Sequence, residues 1–107
     1  MEYLELANDL LSVKADPACG GRIVSFYDKE HAREYIWYDE KRLPADPLLD
    51  YDGNFAGGMD ELLPCDLAEH GFPDHGELWQ LPLKGEILDG KMVLKGDLPL
   101  SKLSYSR

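Results

Sequence analysis

Basic side chains are scarce in this sequence, where 11 lysines and arginines stand against 21 aspartates and glutamates and the net charge is −10. Nucleic-acid phosphates and anionic membrane surfaces both attract basic faces, so this balance argues against either partner. No apolar run approaches the roughly 20 residues that a membrane-spanning helix needs. We therefore expect no nucleic-acid partner and no membrane partner.

Cysteine is scarce as well. Cys19 and Cys65 lie far apart, and neither belongs to a C-x-x-C pair. Reduced thiols fit this usage better than a disulfide framework does. No charged segment followed by an apolar one opens the chain, so we expect no signal peptide. Together these features predict a cytoplasmic protein.

A sustained helical stripe of apolar residues is also missing, and short alternating runs typical of strands take its place. Strands are predicted over Tyr3–Ala7, Leu10–Ala15, Arg22–Tyr27, Glu34–Tyr38, Lys84–Leu88, Lys91–Lys95 and Leu98–Ser106. Asn8-Asp9 and Asp89-Gly90 are two-residue turn signals between such runs. Short strands at this spacing predict an all-β fold, an antiparallel β-sandwich.

One long segment, from Asp50 to Leu83, has neither a helical nor a strand period, and we call it the central loop. It is rich in glycine and proline, which permit positive φ and stiffen the path respectively. Loops of this length in compact domains are usually functional or disordered. Its apolar anchors, among them Leu78 and Trp79, favour an ordered and functional loop.

His75 is the central loop's foremost candidate for ligand binding. It lies in P-D-H-G-E-L-W, between the carboxylates of Asp74 and Glu77 and shortly before Trp79. Sugars offer hydroxyls that need polar partners and C–H faces that pack on aromatic rings, so this mixture suits a carbohydrate. The alternative is that His75 only hydrogen-bonds the loop to itself.

Glu77 is a candidate partner for a sugar hydroxyl, as are two further carboxylates, Asp60 and Glu61. Asp60 and Glu61 are adjacent, so on an extended segment they point to opposite faces and cannot both reach one ligand unless the backbone turns. The surrounding Gly57–Leu62 segment lacks the Lys and Ser/Thr of a phosphate-binding loop.

A metal site in the central loop is another chemical alternative. The possible ligands are Cys65, Asp66, His70, Asp74, His75 and Glu77. Their spacing matches no zinc or calcium motif. The sequence therefore predicts no dedicated metal site and no cofactor.

Three motifs in this order resemble the galactose mutarotase (aldose 1-epimerase) superfamily. They are G-G-R-I-V-S-F (Gly20–Phe26), G-G-M-D-E-L-L-P (Gly57–Pro64) and P-D-H-G-E-L-W (Pro73–Trp79). The resemblance implies a large antiparallel β-sandwich that interconverts sugar anomers by acid–base ring opening. It also implies that His75 contacts the sugar and that the general acid and base come from later in the fold. Trp79, whose indole offers a face for stacking, is our own candidate for a wall of the site.

On this resemblance we expect residues 1–107 to be the N-terminal part of one mutarotase-like domain. No catalytic residue is then expected within this chain, and its partner is a monosaccharide or a related sugar. Members that act on sugar phosphates usually carry Arg at the positions of Ala56 and Trp79, so the resemblance does not favour a phosphorylated substrate.

Two other functions are compatible with the same residues. One is a non-catalytic carbohydrate-binding module that uses His75 and Trp79. The other is an acidic interaction module whose exposed edge strands pair with another chain.

Overall fold

A computed structural model of the chain describes residues 2–42, 46, 48–65 and 68–107. The described part contains seven strands in two antiparallel sheets, and its helices are single 3-10 turns. The prediction of an all-β fold is therefore confirmed.

The first sheet has strand order β1-β2-β3-β4, where β1 is Leu4–Ala7, β2 is Leu11–Asp16, β3 is Arg22–Asp28 and β4 is Arg33–Glu34. The first turn forms because Asn8 Oδ1 accepts hydrogen bonds from the amides of Leu10 and Leu11, both at 2.8 Å. A side chain that bonds its own backbone a few residues on is the usual reason why Asn starts a turn.

The strand predicted at Glu34–Tyr38 is wrong in extent, because β4 ends at Glu34. The reason is that the Glu34 side chain replaces a backbone carbonyl as the hydrogen-bond acceptor. Its Oε2 accepts hydrogen bonds from the amides of Phe26 at 2.8 Å and Ile36 at 3.1 Å. Beyond Tyr35 the chain leaves β3, and Tyr38 forms a single bridge to Gly57 instead. The aromatic run therefore borders the central loop and does not extend the sheet.

The second sheet has the order β5-β6-β7, where β5 is Lys84–Leu88, β6 is Lys91–Leu98 and β7 is Leu103–Ser106. Asp89 and Gly90 have φ values of 50° and 72°, the positive angles that a tight hairpin turn requires. The strand predicted over Leu98–Ser106 begins too early, because Leu98 still belongs to β6. The Lys102 amide donates to the Leu98 carbonyl at 2.9 Å and closes the turn between β6 and β7.

The core joins both sheets to the end of the central loop. Its buried members are Ala15, Leu78, Leu83, Leu94 and Leu98. Leu4 and Ile23 from the first sheet pack against them. Burying one such leucine contributes roughly 1.5–3 kcal/mol, so Leu78 and Leu83 fix the end of the loop between the sheets.

None of the helices in the described part of the chain is long and apolar enough to span a membrane.

Candidate functional site

The first half of the central loop is held between β3 and the segment that follows β4. Met59 exchanges backbone hydrogen bonds with Ile23, at 2.9 and 3.0 Å, and the Gly58 amide donates to the Trp37 carbonyl at 2.8 Å. Gly57 has φ +78°, and a Cβ there would lie 2.3 Å from the Trp37 carbonyl oxygen. Only glycine fits this close approach, which sets the Trp37 ring directly over the loop backbone.

The second half of the loop turns sharply at His75 and Gly76. Their φ values are 66° and 78°, and the Gly76 amide donates to the Pro73 carbonyl at 2.9 Å. A non-glycine residue with positive φ is uncommon, although histidine is among the types enriched there. Such conformations cluster at functional sites because the surrounding structure must hold them in place.

Tyr51 is the centre of the site. Its ring stacks on the His75 imidazole, with centroids 4.0 Å apart and planes at 5°, and meets the Trp79 ring edge-on at 5.4 Å. Its hydroxyl donates to Asp60 Oδ2 at 3.1 Å. Tyr51 therefore connects the imidazole on one side to a carboxylate on the other.

Asp60 is itself held by Arg22, whose Nε donates to Asp60 Oδ1 at 2.7 Å, and both side chains are only 4% exposed. Burial disfavours the Arg22 cation, but the hydrogen bond and charge of Asp60 outweigh it, so the pKa of Arg22 is raised. Burial, followed by the negative charge of Asp60, raises the pKa of Tyr51. Tyr51 therefore stays a neutral hydrogen-bond donor at neutral pH, with its ring fixed beneath His75.

Two exposed rings continue from this centre. Trp37 is 66% exposed and Phe55 is 49% exposed. Their rings stack at 6.3 Å with planes at 21°, and Phe55 lies 6.4 Å from Tyr51. We call the continuous set of Trp37, Phe55, Tyr51 and His75 the aromatic track. A tryptophan this exposed is unusual on a folded domain, and exposed apolar patches mark interaction sites.

The His75 side chain is 31% exposed, and its Nδ1 lies 2.8 Å from Asp74 Oδ2. The two atoms are at ion-pair distance, although their geometry is not that of a hydrogen bond. Trp79 is buried instead, and its Nε1 donates to the Gly76 carbonyl at 3.0 Å. The indole thus supports Tyr51 and the turn from below.

The other two residues predicted to contact a sugar, Glu77 and Glu61, bind groups of the second sheet and its turn. Glu77 is only 2% exposed. Both oxygens of its carboxylate accept hydrogen bonds from backbone amides, from that of Leu100 at 2.9 Å and from that of Ser101 at 2.8 Å. Glu61 accepts from the Tyr105 hydroxyl and from Arg107 Nη1, both at 2.8 Å. The structure therefore gathers His75, Trp79 and Asp60 around Tyr51 and places Glu61 and Glu77 elsewhere. The sugar-binding roles of all five stay predictions.

The contact between Tyr105 and Glu61 predicts a loss of stability at high pH. Burial and the hydrogen bond to Glu61 raise the pKa of Tyr105 to about 12. The unfolded value is about 10, so this contribution is complete below about pH 10 and is lost as the pH rises towards 12. Tyr105→Phe should unfold with a smaller fall in stability between about pH 8 and pH 11.5, as measured by urea denaturation.

Tyr35→Phe, which removes a hydroxyl from an exposed ring, is the control for that measurement. An identical fall in wild type and in Tyr105→Phe would contradict the assignment. Tyr3, Tyr38 and Tyr51 also have raised pKa values, so the fall should shrink and not vanish.

Sequence reasoning missed Arg22, Tyr51, Trp37 and Phe55. Arg22 and Asp60 are 38 positions apart, and no local pattern links them. The exposure of Trp37 depends on where the chain leaves β3, which aromatic content alone does not reveal. The spacing of Tyr51 and Phe55 within a glycine-rich segment was the one available signal.

Among the residues that the structure describes, no group of three or more His, Cys, Asp or Glu side chains is placed to hold a metal ion. Asp66, one of the possible ligands in the sequence, lies outside the described residues, as does Leu67 of the same loop.

Two grooves lie on the second sheet, with volumes of about 740 and 430 Å³. No side chain of the aromatic track lines either of them. A sugar at the track would therefore rest on a surface of exposed rings, outside both grooves.

Comparisons of this chain with protein-family models, with curated proteins and with solved structures give no match.

Proposed function

We propose that this chain binds a monosaccharide or a related sugar on the aromatic track, as the sugar-contacting part of an aldose 1-epimerase-like protein. The observation that carries the proposal is the exposed Trp37–Phe55 stack, which continues into the Tyr51–His75 stack. Exposed ring faces suit the C–H faces of a pyranose. The imidazole and the Asp74 carboxylate beside it suit its hydroxyls.

The rigidity of the site supports binding. Arg22 and Asp60 hold the Tyr51 hydroxyl from inside the protein, and Tyr51 in turn fixes the plane of the imidazole. Because these groups are already ordered, a ligand does not have to order them, and less binding free energy is lost. The motifs Gly57–Pro64 and Pro73–Trp79 add the resemblance to the epimerase superfamily.

In that reaction a base removes the proton of the anomeric hydroxyl while an acid protonates the ring oxygen. His75 is proposed to contact the sugar and not to transfer these protons, and no residue of this chain is assigned either proton-transfer role. We therefore expect the 107-residue chain to bind sugar without catalysing mutarotation. Polarimetry that detects mutarotation above the buffer rate would contradict this.

Removal of the exposed indole tests the binding surface. Trp37→Ala should lower the affinity for the best-binding monosaccharide about five- to thirtyfold, equivalent to about 1–2 kcal/mol of lost ring contact. His75→Ala should have a similar effect through its lost polar contact. Isothermal titration calorimetry with a panel of free hexoses measures both.

Tyr35→Ala is the matched control, since Tyr35 is also an exposed aromatic residue but lies outside the track. An equal loss of affinity in Tyr35→Ala, or no hexose binding by the wild-type chain, would remove the support for this function.

We also propose that the protein is cytoplasmic. Thiols stay reduced in that compartment, and the chain has only two cysteines, which lie far apart in the sequence and outside any C-x-x-C pair.

A second candidate function, pairing with another chain, is favoured by the edges of the second sheet. β5 and β7 are its outer strands, and Ile87, Leu88 and Leu103 on them are exposed. Exposed apolar edge strands are templates for strand addition. Sedimentation at increasing protein concentration distinguishes strand pairing from sugar binding. Strand pairing predicts that the chain forms dimers, and that Trp37→Ala forms them equally well.

A further inference from the structure

The face of the second sheet that bears Lys84 carries an unusual row of side chains. In the register of the three strands, Lys84 pairs with Lys95, and Lys95 pairs with Ser106. Directly opposed residues on one face have Cβ atoms about 4.5–5.5 Å apart, and like charges in that arrangement are destabilising. In this strongly acidic chain, two of the seven lysines are thus directly opposed on one face of the sheet.

Three other basic groups in the described part of the chain pair with carboxylates. Lys14 lies 3.8 Å from Glu5, Arg22 binds Asp60, and Arg107 binds Glu61. No described carboxylate lies within 4.0 Å of the ammonium of Lys84 or Lys95. The nearest acidic residues on their face, Glu86 and Asp97, belong to the neighbouring rows, and Asp97 Oδ1 is occupied by the Ser104 hydroxyl at 3.0 Å. Neither lysine therefore forms an ion pair with a described carboxylate, although Asp97 lines the larger groove and Glu86 the smaller one.

The two lysines also lie where the two grooves meet. Lys84 and Lys95 line both the groove of about 740 Å³ and the groove of about 430 Å³, and no other residue lines both. Ser106 lines the larger groove together with Pro82, Leu83 and Tyr105. A ligand that reaches the lysine pair would thus find a hydroxyl donor beside it and an apolar wall next to that.

We propose that the row of Lys84, Lys95 and Ser106 binds a phosphate group, with the apolar part of the larger groove accommodating the organic remainder of a phosphate ester. Two ammonium groups and a hydroxyl supply donors and positive charge to a dianion, and hydrogen bonds between charged partners are the strong ones. The bound dianion would also relieve the repulsion between the lysines. The net charge of −10 opposes this only weakly, because salt screens the interaction between exposed charges more than about 10 Å apart.

This site is independent of the proposed sugar binding, since none of its residues belongs to the aromatic track. The proposal therefore stands or falls separately from the sugar measurements on Trp37 and His75 variants.

The test is an NMR titration of the ¹⁵N-labelled chain with inorganic phosphate and, separately, with phenyl phosphate, at constant ionic strength maintained with sodium chloride. We expect saturable shifts centred on the amides of Lys84, Lys95 and Ser106. In Lys84→Met and in Lys95→Met the dissociation constant should rise at least about tenfold, since each removes one charged hydrogen-bond donor. Lys95→Arg, which keeps the charge, should retain most of the affinity.

Lys91→Met is the matched control, because Lys91 is exposed on the same strand but lines neither groove. Tighter binding of phenyl phosphate than of inorganic phosphate would identify an ester as the ligand, and equal binding would identify the free ion. Shifts that sodium chloride reproduces, shifts spread over the whole surface, or an equal loss in Lys91→Met would each overturn the site. Unfolding of the methionine variants is not expected, since each removes a repulsion, and a thermal melt confirms their folding.

Discussion

Asp60→Asn is expected to destabilise the protein by about 3–5 kcal/mol, because it leaves the guanidinium of Arg22 buried without its counter-charge. The pair is 4% exposed on both sides, and the Nε to Oδ1 distance is 2.7 Å. Domains have total stabilities of roughly 5–15 kcal/mol, so the variant should be close to unfolding. Thermal melting followed by circular dichroism should show a midpoint lower by about 12 °C or more.

The adjacent Glu61→Gln is the control for this prediction. The Glu61 side chain is about half exposed and pairs with Arg107 near the surface, where an ion pair contributes only about 0–1 kcal/mol. The double variant Arg22→Met/Asp60→Leu should recover much of the lost stability, because it removes both buried charges together. A melt of Asp60→Asn that coincides with wild type, or a double variant as unstable as the single one, would show that the buried charge is not the cause.

Asp60→Asn should also affect the candidate site. Asp60 accepts the Tyr51 hydroxyl, and Tyr51 fixes the imidazole of His75. Any Asp60→Asn protein that remains folded should therefore bind sugar more weakly, although Asp60 is buried beneath the proposed ligand surface. If Asp60→Asn lowered the stability but left the geometry of the site unchanged, the ion pair with Arg22 and the orientation of Tyr51 would be separate roles of this carboxylate.

Those parts of the fold that depend on local pattern could be predicted from the sequence. The hairpin of β5 and β6 follows from Asp89-Gly90 between two alternating runs, since the turn residues and the side-chain period agree. The opening hairpin follows in the same way from Asn8 and the runs on either side of it.

Predictions were wrong where a side chain competes with the backbone or where a strand ends for a distant reason. Glu34 takes the Phe26 amide with its carboxylate, so the aromatic run after it does not extend the ladder. β6 extends to Leu98 because its last residues pair with β7, which the local pattern around Pro99 does not indicate.

The candidate site could be predicted only in part for a related reason. The motif around His75 marks the turn, but the residues that orient it come from elsewhere in the chain. Tyr51 is 24 positions before His75, and Arg22 is 38 positions before Asp60. Contacts at such separations follow from the packing of the loop against β3, which no local periodicity encodes.

Glu77→Ala is expected to cost roughly 3 kcal/mol of stability or more, because it leaves two partly buried backbone amides without acceptors. The carboxylate reaches from the central loop to the turn between β6 and β7, at 2.9 Å to the Leu100 amide and 2.8 Å to the Ser101 amide. Its loss should loosen the second sheet from the loop as well as lower the midpoint of urea unfolding. Glu30→Ala, at an exposed turn position, is the control.

Glu77→Gln distinguishes this bracing role from the predicted contact with a sugar hydroxyl. The amide keeps one acceptor oxygen but turns an NH₂ group towards the other backbone amide, so a brace should lose about half of its contribution or more. If Glu77 instead contacted a sugar hydroxyl, the Glu77→Gln variant would unfold nearly as the wild type does and would lose much of its hexose affinity in calorimetry. Because the residue is 2% exposed and both of its oxygens are already bonded, we expect the loss to appear in unfolding, with hexose affinity changed only as far as the loop is loosened.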